Sequence, residues 1–160
     1  MSELGKQSGE KIVKKCPGGL TGRFDRILDP KKRLTVPSAW RDTLGPDYVY
    51  VIPDSQDKCL QLVPQDVWDR RMAAVMNGPL SDLERKALAR VIGKNSETLE
   101  FDTQGRIRIS DRLLAHAGIK GPVVMEGALE TATIWSAEMC PPETAVDAEA
   151  LQAAMAKLGF

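Results

Sequence analysis

The sequence predicts an α+β protein: two copies of a small β-barrel-like unit with short helices, joined by a helical pair and closed by a C-terminal helix. Three observations predict it. A nine-residue block recurs 73 residues further on, residues alternate apolar and polar around each copy, and apolar residues recur at helical spacing between the copies and after the second.

The repeated block reads Asp29-Pro-Lys31-Lys32-Arg33-Leu-Thr-Val-Pro37, then Asp102-Thr-Gln-Gly105-Arg106-Ile-Arg108-Ile-Ser110. Leu34-Thr35-Val36 and Ile107-Arg108-Ile109 alternate with period two and are expected as short strands. Asp29-Pro30 and Gln104-Gly105 are turn chemistry, so each Asp-to-Arg loop should be tight. Ser38 and Ser110 stand where a hydroxyl can accept from the free amides of a first helical turn, and Gly45 and Gly118 where a left-handed residue ends a helix. A hairpin follows each copy. Tyr48–Ile52 and Leu60–Val63 flank a polar turn, as do Pro122–Met125 and Ala132–Trp135 around 126–130, with the second hairpin expected to be the shorter.

The helical pair lies between the copies. Residues 65–76 place Val67, Trp68, Met72 and Val75 or Met76 on one face, and Asn77-Gly78-Pro79 ends that helix. Ser81 with Glu84 is a capping box for a second helix over 82–92, striped by Leu83, Ala87, Leu88 and Val91 and ended by Gly93. Residues 147–158, after Pro141-Pro142, are rich in Ala, Leu and Met and read as the closing helix. The division expected is a polar, disordered extension over 1–20, a first repeat with its helical connector over 21–93, and a second repeat with the closing helix over 94–160.

Charge distribution is more informative than its sum. Lys plus Arg and Asp plus Glu number 22 each, yet residues 1–45 carry ten basic against five acidic side chains. Residues 137–160 carry Lys157 against Glu138, Glu143, Asp147 and Glu149. A basic front and an acidic tail suit a protein that turns one face toward an anion. Cys16, Cys59 and Cys140 have neither disulfide-framework nor zinc spacing, no apolar run could span a bilayer, and no secretory signal opens the chain, so the expectation is cytoplasmic with no membrane contact. No phosphate-binding glycine loop, metal-ligand spacing or nucleophile–base pair is legible, so neither an enzyme nor a cofactor is expected.

The paired blocks, with Arg90-Val-Ile-Gly93 leading to Glu100-Phe-Asp102 and the closing Ile134-Trp135, resemble the MraZ family within the AbrB/SpoVT-like group of DNA-binding proteins, over roughly residues 20–140. The resemblance implies swapped-hairpin β units, a ring-shaped homo-oligomer, and arginine-bearing loops along a surface that contacts double-stranded DNA. It further implies a transcription regulator at the promoter of the division and cell-wall gene cluster, with nucleoid association. Carried over from the motif, Arg33 and Arg106 are the DNA-binding residues.

Side-chain chemistry fits that role. A guanidinium can grip guanine O6 and N7 with two bonds or clamp a phosphate, and lysine is a point charge suited to phosphate. Lys31 and Lys32 share a turn with Arg33, and Arg108 lies on the face of Arg106 by the period-two rule. Asp29 and Asp102 would repel phosphate if exposed, so they are assigned an orienting role, accepting from loop amides or pairing with the arginines. Lys32 stands where the second copy has Gly105; if the turn needs φ > 0, lysine there costs on the order of 1 kcal/mol. An isolated Asp-x-x-x-Arg turn reads more readily as a structural ion pair; duplication and the resemblance together are what favour DNA. His116 and the three tryptophans read as packing residues, and Arg70, Arg71, Arg85 and Lys86 as a mixed-charge exterior. The competing function is an AbrB-like interaction module or antitoxin that binds a protein partner.

Overall fold

The computed structural model describes residues 19–142 and 147–160. In chain order these form β1 (Arg23–Ile27), β2 (Arg33–Thr35), α1 (Ser38–Leu44), β3 (Tyr48–Pro53), β4 (Leu60–Val63), α2 (Gln65–Asn77), α3 (Asp82–Asn95), β5 (Glu97–Glu100), β6 (Arg106–Arg108), α4 (Asp111–Ala117), β7 (Pro122–Ala128), β8 (Thr131–Ser136) and α5 (Ala148–Lys157). The class is α+β, as the alternation of patterns implies.

The two copies share their sheets. The large sheet is antiparallel and open, with strand order β1-β7-β8-β4-β3-β5, and β2 and β6 form a separate two-stranded ribbon. Read from either edge, the order is a flanking strand, then the other copy's hairpin, so β1 pairs with β7 and β5 with β3. The hairpins meet through β4 and β8, with Leu60 opposite Ile134. Each half therefore completes the other's sheet rather than closing a barrel of its own. The physical reason is size: a half of this length buries too little apolar surface to stand alone. One core results, in which Leu34, Trp40, Val49, Leu62, Ile107, Leu113, Met125 and Ile134 are buried together.

Local chemistry explains most element ends. Ser110 caps α4, accepting from the Leu113 amide, and Gly118 ends it in the left-handed conformation. The Ser81–Glu84 capping box starts α3. Several expectations are corrected. Pro37, not Ser38, precedes α1, and Gly45 is extended in ψ rather than left-handed. α3 runs through Gly93 to Asn95 and buries none of its residues, so the stripe of Leu83, Leu88 and Val91 is exposed. The second hairpin is the longer one. Residues 126–128 and 131 continue the ladder to a turn at Leu129-Glu130, because Leu20 pairs with Leu129 in both directions (2.8 and 3.0 Å) and holds it there. Gly19 is described and Leu20 is fully buried and belongs to the fold, whereas the rest of the expected disordered extension, residues 1–18, lies outside the described residues.

Arg85 is more than exterior charge. It donates to the carbonyls of Val75, Gly78 and Leu80 and pairs with Asp82, tying the end of α2 to the start of α3. Trp40 is fully buried and donates to the Thr21 carbonyl at 2.7 Å. Trp68 stacks on Tyr50 at 4.4 Å and is, like Trp135, only half-buried. Among the described residues no helix is long and apolar enough to cross a membrane.

Candidate nucleic-acid interface

The two Asp-to-Arg turns have the same geometry. In the first, Asp29 Oδ1 accepts from the amides of Lys31 and Arg33 (2.9 and 2.8 Å) and Oδ2 from Arg33 Nε (2.7 Å). In the second, Asp102 Oδ1 accepts from the amides of Gln104 and Arg106 (2.9 Å each) and Oδ2 from Arg106 Nε (2.8 Å). Backbone bonds close each loop, from the amides of Asp29 and Asp102 to the carbonyls of Arg33 and Arg106. A short acidic side chain four residues before the arginine thus satisfies two turn amides and still reaches the guanidinium.

Those bonds favour the charged carboxylate. The Arg33 amide above all, with the Arg33 side chain and the Lys31 amide, holds Asp29 below the usual carboxylate range against the opposing effect of burial. The Arg106 amide does the same to Asp102, whose pKa falls to about 2. Each carboxylate takes the Nε edge of its arginine. The terminal nitrogens of Arg33 donate to no further partner among the described residues, and Arg106 Nη1 lies 4.0 Å from Asp29 Oδ2.

The ribbon brings the turns together. Arg33 lies opposite Arg108, Leu34 opposite Ile107, and Thr35 opposite Arg106. Leu34 and Ile107 point into the core, which puts Arg33, Arg106 and Arg108 on the outer side by the period-two rule. The strands are short, but each is anchored on the other copy's turn, through Val36 N–H to the Gly105 carbonyl and Ile109 N–H to the Lys32 carbonyl. Arg33 and Arg106 side chains keep about a third and a quarter of their surface accessible (32% and 23%). Arg108 is exposed.

Like charges directly opposite one another destabilise a strand pair. Arg33 faces Arg108 across the ribbon, with the Asp29 carboxylate as the counter-charge to Arg33. The sequence-assigned lysines divide. Lys31 is exposed on the first turn, whereas Lys32 is ion-paired to Asp111 at the start of α4 and lowers that carboxylate's pKa. Lys32 also has φ 65°, matching φ 77° at Gly105, so both turns require the left-handed region and the lysine occupies it.

Arg41 was not legible as part of this surface. It projects from α1 over the second turn, with its guanidinium 5.7 Å from the Phe101 ring centre. A Cβ at Gly105 would lie 2.3 Å from Arg41 Nη1, so the missing side chain is what admits it. The repeat hides it because the matching position in the second copy is Leu114; the only sequence signal is that departure. His116, by contrast, has no role here. Its Nε2 is buried without a partner beside the α3 groove. No group of three or more His, Cys, Asp or Glu among the described residues could hold a metal ion.

No family model matches the chain. Among curated proteins it is similar to the transcriptional regulator MraZ of Lachnoclostridium phytofermentans, 35% identical over 117 residues that cover 73% of this chain and 81% of that protein. The protein of the same name from Thermomicrobium roseum is 33% identical over 132 residues, covering 82% and 89%. That from Leuconostoc mesenteroides is 31% identical over 128 residues, covering 80% and 88%.

Proposed function

The chain belongs to the MraZ family, and on that premise we propose that it is a sequence-specific, DNA-binding transcriptional regulator whose contact surface is the β2–β6 ribbon with its two turns. The observation that carries this reading is the outer face of the ribbon, where Arg33, Arg106 and Arg108 stand together and Arg33 faces Arg108. A two-stranded ribbon fits the roughly 12 Å major groove, and a fork-shaped guanidinium can read guanine there or clamp a phosphate. Arg33 and Arg106 are the primary contacts, Lys31, Lys32 and Arg108 supply phosphate-directed charge, and Asp29 and Asp102 aim the arginines.

The net charge of the chain is zero, and one ribbon is a small patch. Affinity then comes from several chains engaging repeated sites, which a ring-shaped homo-oligomer provides through effective concentration. The target in this reading is the promoter of the division and cell-wall gene cluster, and the protein works in the cytoplasm on the nucleoid. The two halves, 21–93 and 94–160, act as repeats that each deliver one turn to the shared ribbon.

Band-shift and anisotropy titrations on DNA from upstream of the protein's own gene test the site. Arg33→Ala and Arg106→Ala should each weaken binding by about tenfold to a hundredfold, the range for one lost guanidinium–guanine pair, without altering assembly mass. A double variant that binds like the wild type refutes the assignment.

A further inference from the structure

We propose that the C-terminal helix α5 is an assembly latch: its apolar stripe docks in the groove between α3 and the β3–β4 hairpin of a second copy of this chain. The proposal rests on the assembly reading above and names the contact that reinforces it.

α5 is built to persist but is unsupported. Asp147 caps its first turn, accepting from the amides of Glu149 and Ala150, and the Phe160 amide closes its end on the Met155 carbonyl at 3.0 Å. Leu151, Met155 and Leu158 recur at i, i+4 and i+7 and form one stripe. Yet every residue from 147 to 160 is exposed. A helix of ten residues is marginal in water without tertiary packing, so a covered stripe is what stabilises it.

The receiving surface is equally bare. Ile52 and Pro53 of β3 and Leu88, Val91 and Ile92 of α3 line a cavity of about 740 Å³, in which Leu88 and Val91 are 39% and 53% exposed.

Charge selects the partner. α3 carries Arg85, Lys86, Arg90 and Lys94 against Asp82 and Glu84, and the cavity is lined by Arg71 and by Arg112, which is paired to Glu97, against Asp54. The tail from 137 onward carries Glu138, Glu143, Asp147 and Glu149 against Lys157. An acidic tail whose helix begins with Asp147 and Glu149, and a basic-flanked apolar groove on the same chain, are complementary surfaces. On its own chain the helix stands exposed and the groove open, so the occupant is the helix of a neighbour, a head-to-tail contact of the kind that closes rings.

The test uses the full chain. Native mass spectrometry and sedimentation over a dilution series should show that Leu151→Glu/Met155→Glu and Leu88→Glu/Val91→Glu each dissociate at about tenfold or more higher concentration than the wild type, as expected for losing several buried apolar contacts. All four side chains are exposed, and an unchanged circular dichroism melt of the dissociated protein verifies that the fold is kept. Combining the two pairs should weaken assembly no further than either alone. In a second measurement, chains bearing Leu88→Cys are mixed with chains bearing Met155→Cys and oxidised; a disulfide between different chains is expected. Variants that dissociate like an oligomeric wild type overturn the latch and leave the ring reading intact. A wild type that is monomeric throughout overturns both. A chain carrying both cysteines that cross-links only to itself shows docking within one molecule and overturns the proposal.

Discussion

Replacing Gly105 with alanine places a methyl group where the second turn has no room for one. The backbone there has φ 77°, and the new Cβ would sit 2.3 Å from Arg41 Nη1 and 2.7 Å from its Cζ. The left-handed conformation costs a non-glycine residue about 1 kcal/mol. Arg41 is flexible and swings away, which forfeits its contact with Phe101, worth about 0.5–1 kcal/mol. The expected destabilisation is therefore about 1.5–2 kcal/mol, a fall in Tm of roughly 5 °C for a chain of this size. The first turn supplies the reverse experiment. Lys32→Gly relieves the strain at φ 65° but loses the solvent-screened pair with Asp111, so stability should rise by less than the roughly 1 kcal/mol cost of a left-handed lysine. Urea and thermal unfolding followed by circular dichroism measure both. A Gly105→Ala protein that melts within about 1 °C of the wild type would refute the geometry of the turn and the place of Arg41 over it.

Two further outcomes follow from the shared ribbon and its carboxylates. Leu34→Ala and Ile107→Ala each empty a fully buried position under the ribbon and should destabilise by about 2–5 kcal/mol, with both halves unfolding in one transition because their strands alternate in one sheet; separate transitions in calorimetry would contradict the shared core. The Asp102 carboxyl has its pKa lowered from the ordinary 3.8 to about 2, so its contribution to the turn is complete above the unfolded value and lost only as pH falls through about 2. Carbon NMR of the carboxyl should place its midpoint near 2, and a midpoint near 4 would mean that the Arg106 bonds do not form in solution.

Much of the candidate site was legible from the chain because its chemistry is local. Asp29 and Arg33, like Asp102 and Arg106, are four residues apart, so one turn suffices to join carboxylate, amides and guanidinium. The doubled motif marked both turns, and period two placed Arg106 and Arg108 on one face. The same reasoning located α2, the Ser81–Glu84 box and the Gly118 cap, all of which depend on neighbours within a few positions.

What the sequence by itself determined is therefore the pair of equivalent turns, the α+β class and the boundaries of its helices to within a few residues. The tertiary structure decided which strands pair. Period two specifies a face but not a partner, and it could not say that β2 meets β6 to set Arg33 against Arg108, or that each flanking strand completes the other half's sheet. It also decided the fate of groups whose partners are remote in the chain: Lys32 bound to Asp111, Arg41 laid over Gly105, and the α3 stripe left bare. Local patterning records what a segment prefers, whereas long-range pairing depends on which apolar faces can be buried together at once, and that is a property of the whole chain.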